Sequence, residues 1–295
     1  MMDYHKLASR YKQFGGFSLV IEYAKLGALW LAVKAGVRCL LKRQSFKAIY
    51  PEVLRKIEPF LIQKYGSKVQ EFKKFNSSEG QGISGVYEIK VIDEENWKEY
   101  IELPSYIVKK WEEKQIPPAL FSDLLRLELL IKYGGTWIDS TVLCTGFKGS
   151  IVQEFKKYLE ADLFLFQYTK QGSIPVSISN WFISACSNNE VLIVLRDMLY
   201  AYWKDYDCVL DYYIFHLFFA MISKEYPEQI TAMPYGQSQN SLVLLHHWGE
   251  EFNQKKWDKL TCQVCFHKLA FRVDKSITDN KENYYSKIIR DYGNL

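Results

Sequence analysis

The 295-residue chain predicts an α/β domain with a mostly parallel sheet and a helical N-terminal appendage. Three observations carry that prediction. Short β-branched and aromatic runs alternate with longer amphipathic ones from residue 87 onward. Residues 1–66 hold 12 Lys or Arg against 4 Asp or Glu, a balance of +8, while the whole chain carries only +4. The glycine pair at 134 and 135 ends an apolar helix pattern and opens a strand pattern, since glycine takes left-handed torsions without strain. The chain therefore divides into a basic helical region, 1–66, and a mildly acidic body, 67–295.

The first apolar stretch, residues 17–41, is interrupted by Glu22, Lys25, Lys34 and Arg38, which excludes a membrane-spanning helix. Wound as one helix at about 100° per residue, it places Leu19, Tyr23, Leu26, Trp30, Val33, Val37 and Leu41 on a narrow stripe. Two readings stay open. The stripe packs on the body, or it lies in a membrane interface with Trp30 as anchor. Lys34, Arg38, Lys42, Arg43 and Lys47 make a membrane contact through residues 17–47 the natural form of the second reading. A second helix is expected over 51–65.

Residues 76–85 are rich in Ser and Gly and read as a loop or boundary. A strand is expected at 87–93, a short helix at 94–100, and another helix at 105–114 after Pro104. The next helix starts at Ser122 or the residues just before it, with Leu124, Leu125, Leu127, Leu129, Leu130 and Ile131 as its apolar face. One buried strand over 136–144 follows. Further on, the pattern predicts a helix at 147–160, a strand at 162–168, and a segment 179–185 leading into a helix at 190–202. A very apolar helix over 209–223 holds Asp211 and His216. Short elements at 241–247 and 262–273 precede a last helix from 283.

Composition narrows the function classes. The basic first segment points to an anionic partner, a membrane surface or lipid phosphate ahead of nucleic acid. With no nucleic-acid fold or basic-aromatic repeat in the sequence, no nucleic-acid partner is expected. No secretory signal precedes the first apolar stretch, and most of the six cysteines lie in apolar runs, which fits a reduced, cytoplasmic setting. Cys262-x-x-Cys265 with His267 has the look of a zinc motif, but no second pair lies nearby to complete four ligands.

The chemistry converges on the run Phe121-Ser-Asp-Leu-Leu-Arg126 and its continuation Tyr133-Gly-Gly-Thr-Trp-Ile-Asp-Ser-Thr-Val142. Asp123 and Arg126 stand one helical turn apart on one face, where they could grip sugar hydroxyls and phosphate oxygens or merely pair with each other. Asp139 follows the tight glycine bend, where it could approach a divalent cation. A capped core helix followed by a core strand accounts for the same spacing.

Ser-Asp-Leu-Leu-Arg, then Tyr-Gly-Gly-x-Trp-x-Asp-x-Thr, resembles the signature of the capsular polysaccharide synthesis glycosyltransferases. These are similar to the wider group of mannosyltransferases and clostridial glucosylating toxins. Weaker resemblance extends to Ser179-Asn-Trp-Phe-Ile-Ser184, Asp211-Tyr-Tyr-Ile-Phe-His216 and His267-Lys-Leu269. The resemblance implies a GT-A-like, Rossmann-like nucleotide-sugar-binding domain. It implies transfer of a hexose from a nucleotide sugar, a UDP-sugar first, to a capsular or exopolysaccharide acceptor, an oligosaccharide or lipid-linked saccharide at the inner face of the cell membrane. Retention of the anomeric configuration is also implied.

The resemblance makes Asp139 the first aspartate of an Asp-x-Asp element with Thr141 in second place, and Mn²⁺ or Mg²⁺ the cofactor. With Thr141 neutral, His267 becomes a further metal ligand. Asp139, Asp211 and Asn180 are then the catalytic candidates. Ser122, Asp123, Arg126, Gly135, Trp137 and Lys268 are those that bind substrate. One family feature, an early Ile-Trp-x-x-Trp-x-Gly-like strand, has no counterpart between Tyr65 and Tyr87, so no base contact is assigned. The alternatives are a degenerate transferase fold serving as a membrane-associated scaffold, or a transferase acting on protein.

Overall fold

The computed structural model describes residues 24–31, 33–34, 58–65, 88–146, 151–168 and 177–292. The Ser/Gly-rich segment 76–85, and the interval where the family's first strand would fall, lie outside them. The described chain is a mixed α/β structure in which many helices surround small sheets. Its elements are α1 (Glu58–Tyr65), α2 (Trp97–Tyr100), α3 (Ser105–Glu112), α4 (Pro118–Tyr133), β1 (Gly135–Ile138), β2 (Val142–Cys144), α5 (Ile151–Leu159), β3 (Leu163–Gln167) and β4 (Ile178–Ala185). They continue with α6 (Glu190–Asp205), α7 (Ile214–Ile222), α8 (Pro227–Ala232), α9 (Ser238–His247), α10 (Gln254–Gln263), β5 (Phe266–Lys268), α11 (Lys275–Asp279) and α12 (Tyr284–Tyr292).

The expected parallel sheet is not what forms. Strand order in the larger sheet is β1-β4-β3 and in the smaller β2-β5, and every pair is antiparallel. A parallel pair needs a long crossover, and β3 and β4 are separated only by residues 168–177, which suits an antiparallel return. The single strand expected over 136–144 is also two. Its chain turns at Asp139, with the Val142 N–H donating to the Asp139 carbonyl at 3.1 Å, so β1 joins one sheet and β2 the other. Residues 179–185 form β4 rather than a lead into a helix. Residues 88–93 stay outside any strand, with Ile89 and Val91 exposed.

Helix α4 is held by burial of Leu120, Phe121, Leu124, Leu125, Leu127, Leu130 and Ile131. It starts at Pro118, four residues before Ser122, because proline at the first turn gives up no helical hydrogen bond. Gly134 ends it with φ +67, and a Cβ there would stand 2.9 Å from the Ser187 nitrogen, so only glycine fits. Gly135 follows at φ +94. The pair thus turns a buried helix directly into β1, which pairs with β4 from Gly135↔Ala185 to Ile138↔Phe182.

Helices α6 and α7 complete the main core, with α6 packed on both α4 and α7. Leu26, Ala28, Leu31, Leu61 and Tyr65 belong to the same core as these helices. Tyr65 donates to Asp205 at 2.9 Å, fastening α1 to the end of α6. The expected stripe over 17–41 does not wind as one helix. Gly27 breaks it at φ +81, so Leu26 and Leu31 turn inward while Trp30 and Val33, each 55% exposed, turn out. Packing thus holds for part of the stripe, and the rest of it lies outside the described residues. No helix among the described residues is long and apolar enough to cross a membrane.

Candidate functional site

Four separated segments meet at Asp139. The β1–β2 turn carries it, its backbone N–H donating to the Trp181 carbonyl of β4 at 2.9 Å. Two rows of α4 back it up. Arg126 donates from Nη2 to Asp139 Oδ1 at 3.2 Å and to Ser122 Oγ at 2.7 Å, and from Nη1 to the Asn180 carbonyl at 2.8 Å. The Trp137 indole N–H donates to the same Oδ1 at 2.9 Å, and the Arg126 guanidinium lies 5.3 Å from the Trp137 ring centre. In front, Lys268 of β5 donates to Asp139 Oδ2 at 2.7 Å and also to Thr141 Oγ1. Pairing of Val142 with Lys268 in the β2–β5 ladder sets that reach.

Asp123 lies deeper. Its Oδ1 accepts from Arg126 Nη1 at 2.8 Å and from the Asn180 side-chain amide at 2.7 Å. Both Asp123 and Arg126 are 3% exposed, so this is no solvated surface pair. Burial pushes the Asp123 carboxyl up to about 7, against the pull of Arg126. Asp139 goes the other way. Burial opposes its charge, but Arg126 and Lys268 outweigh that and hold it below the usual carboxylate range. The solvent-facing part of the cluster is therefore Trp137, Asp139, Thr141 and Lys268, while Asp123 and Arg126 stand behind it and fix its geometry.

The structure gathers Ser122, Asp123, Arg126, Trp137, Asp139, Thr141, Asn180 and Lys268, which the sequence singles out, into one network. Two of them enter differently than expected. Ser122 is not the start of α4 but a mid-helix hydroxyl that orients Arg126. Asn180 caps no helix; it sits in β4 and bridges Asp123 and Arg126. Gly135 contributes backbone only, at the root of β1. Asp211 is buried in the approach to α7, where its Oδ1 accepts from the Tyr213 N–H at 2.7 Å.

His267 is not brought to Asp139. Adjacent strand residues face opposite ways, and Lys268 takes the side toward Asp139. The His267 ring is 1% exposed, with Nε2 at 3.2 Å from Thr145 Oγ1. It therefore drops out of the expected metal-ligand set. One residue stood in a family stretch without an assigned role: His216 of α7 is buried and feels the Arg126 charge, and burial first, then Arg126, lower its pKa to about 3. A titratable residue inside so apolar a helix was the available signal.

These buried rings predict an acid-side loss of stability. Burial lowers the His267 pKa from 6.5 to about 4, against a weaker opposite pull from the backbone at Val264. The unfolded chain takes up the proton first, so the contribution is complete above about pH 6.5 and is lost as pH falls toward 4. Over that window His267 accounts for about 3 kcal/mol. Urea denaturation between pH 7 and 4.5 should give a visibly flatter stability curve for His267→Gln than for the unaltered chain. An unchanged slope would mean the ring is not held neutral.

A model of the capsular polysaccharide synthesis protein family matches residues 56–288. The chain belongs to that family. The match spans α1 through most of α12 and so includes every residue of the Asp139 network. No curated protein and no solved structure matches the chain. Membership implies a role in capsular polysaccharide biosynthesis, with sugar-related substrates.

The divalent cation implied by the resemblance can be tested against this donor set. Its solvent-facing part offers one carboxylate, Asp139, and one hydroxyl, Thr141, and both Asp139 oxygens are already hydrogen-bonded. Among the described residues, no group of three or more His, Cys, Asp or Glu could hold a metal ion. Mg²⁺ takes one or two protein carboxylates together with waters and substrate phosphates. Here the Lys268 ammonium already occupies the space between Asp139 Oδ2 and Thr141 Oγ1, so the residues as placed do not fit such an ion.

Proposed function

We propose that this member of the capsular polysaccharide synthesis family is a glycosyltransferase with a GT-A-like donor domain. It moves a hexose from a nucleotide sugar, a UDP-sugar first among candidates, to a capsular or exopolysaccharide acceptor, with retention at the anomeric carbon. The single observation that supports this best is the convergence of Arg126, Trp137, Asp139, Asn180 and Lys268 from one helix and three strands or their turns. A carboxylate fixed from behind can accept donor hydroxyls, an indole face can stack on sugar or base, and a lysine can meet the diphosphate. A lipid-linked acceptor at the inner membrane face fits the +8 balance of residues 1–66 and the outward Trp30 and Val33.

A thermal-shift screen of nucleotide sugars tests the reading. A ligand at 100 times its Kd adds about 2.7 kcal/mol to folding stability. A UDP-sugar should raise the melting temperature and release its sugar on incubation. If no nucleotide sugar of any base shifts the melt or is turned over, the transferase reading fails and a scaffold role takes its place.

A further inference from the structure

We propose that Lys268 takes the place of the divalent cation, so that this site binds the donor diphosphate and promotes its departure without a metal. The inference rests on the transferase reading above and deepens it. Three features carry it. The ammonium contacts Asp139 Oδ2 at 2.7 Å and Thr141 Oγ1 together, which are the two atoms that an Asp-x-Asp element would offer a cation. An ion touching both atoms would sit against that ammonium, and two like charges at contact repel strongly in a partly buried site.

Second, Lys268 is not a loose surface side chain. It is 20% exposed and is held by strand register, with the Leu269 N–H donating to the Thr141 carbonyl at 2.9 Å beside it. Third, both Asp139 oxygens already accept from cationic or N–H donors, and its solvent-facing Oδ2 is the one the ammonium holds. Arg126 and Trp137 take Oδ1 and Lys268 takes Oδ2, and the nearby Asp123 carboxylate is buried against Arg126 and Asn180. Among the described residues, no group of three or more His, Cys, Asp or Glu could hold a metal ion.

The charges balance without a metal. In transfer, the bond between the sugar C1 and the β-phosphate oxygen breaks, and its electron pair stays on that oxygen. A new C1–O bond forms to the acceptor hydroxyl, whose proton ends on the departing diphosphate. Negative charge grows on the diphosphate before that proton arrives. A fixed ammonium, with the Arg126 guanidinium behind it, opposes that growth as a metal would.

The test is calorimetric titration of the full chain with UDP, GDP and inorganic pyrophosphate, each in EDTA and in MnCl₂. The expected result is equal affinity in the two buffers for at least one nucleoside diphosphate. Lys268→Met, which keeps the apolar stem, should lose tenfold or more. Thr141→Asp combined with Lys268→Met should regain affinity only in Mn²⁺. A tenfold or larger gain from Mn²⁺ in the unaltered chain would overturn the inference and leave the transferase reading standing. So would a folded Lys268→Met that binds as before. Failure of all three probes to bind in either buffer would overturn both.

Discussion

Arg126→Ala is expected to lose about 3–5 kcal/mol of folding stability at neutral pH, far more than a surface ion pair would cost. The guanidinium is 3% exposed and satisfies Asp123, Asp139, Ser122 and the Asn180 carbonyl at once. Removing it leaves the Asp123 carboxylate buried with the Asn180 amide as its remaining partner in this network. The loss should depend on pH in a direction opposite to that of His267. Burial already raises Asp123 to about 7 with Arg126 present, and without that cation it rises further. A folded-state carboxyl raised above its unfolded value favours folding only while protonated, so the variant should weaken as pH climbs through neutrality. Urea denaturation at pH 5.5 and 8 checks this. Asp123→Asn in the same background should recover part of the loss, because no charge is then buried. A loss under 1 kcal/mol with no pH dependence would mean the pair is solvated.

Asp139→Asn should leave the fold intact and reduce turnover by about 10²–10³-fold. The side chain is 24% exposed, and asparagine can still accept from Trp137 and Arg126 through its oxygen. What it gives up is the charge that holds Lys268 in line. Release of nucleoside diphosphate from a sugar donor, with melting temperature as the control, measures both halves of this expectation. Asp123→Ala should behave differently, losing stability as well as activity, since its carboxyl belongs to the buried layer. Near-normal turnover in a folded Asp139→Asn would remove Asp139 from the chemistry.

Much of the site was legible in the sequence because its residues follow local rules. The one-turn spacing of Asp123 and Arg126 and the left-handed glycines before β1 depend on nearest neighbours, and both appear as expected. What depends on distant partners was not legible. Nothing in the run from Thr136 to Cys144 says that the chain turns at Asp139, because the break is set by β4 on one side and β5 on the other. The antiparallel register of both sheets was hidden for the same reason. Within His267-Lys268, the period-2 rule allowed only one of the pair to face Asp139, and the ladder with β2 decided for the lysine. Gly27 was visible as a residue, but an apolar stripe plotted as an ideal helix passes over a positive φ that resets its phase.

The most direct test of the central claim is a crystal structure of the chain soaked with UDP. The account predicts diphosphate density against the Lys268 ammonium, on the solvent side of Asp139, with the Trp137 ring alongside. Ordered UDP bound elsewhere, with the Asp139–Lys268 pair undisturbed and no phosphate within reach of Lys268, would contradict it.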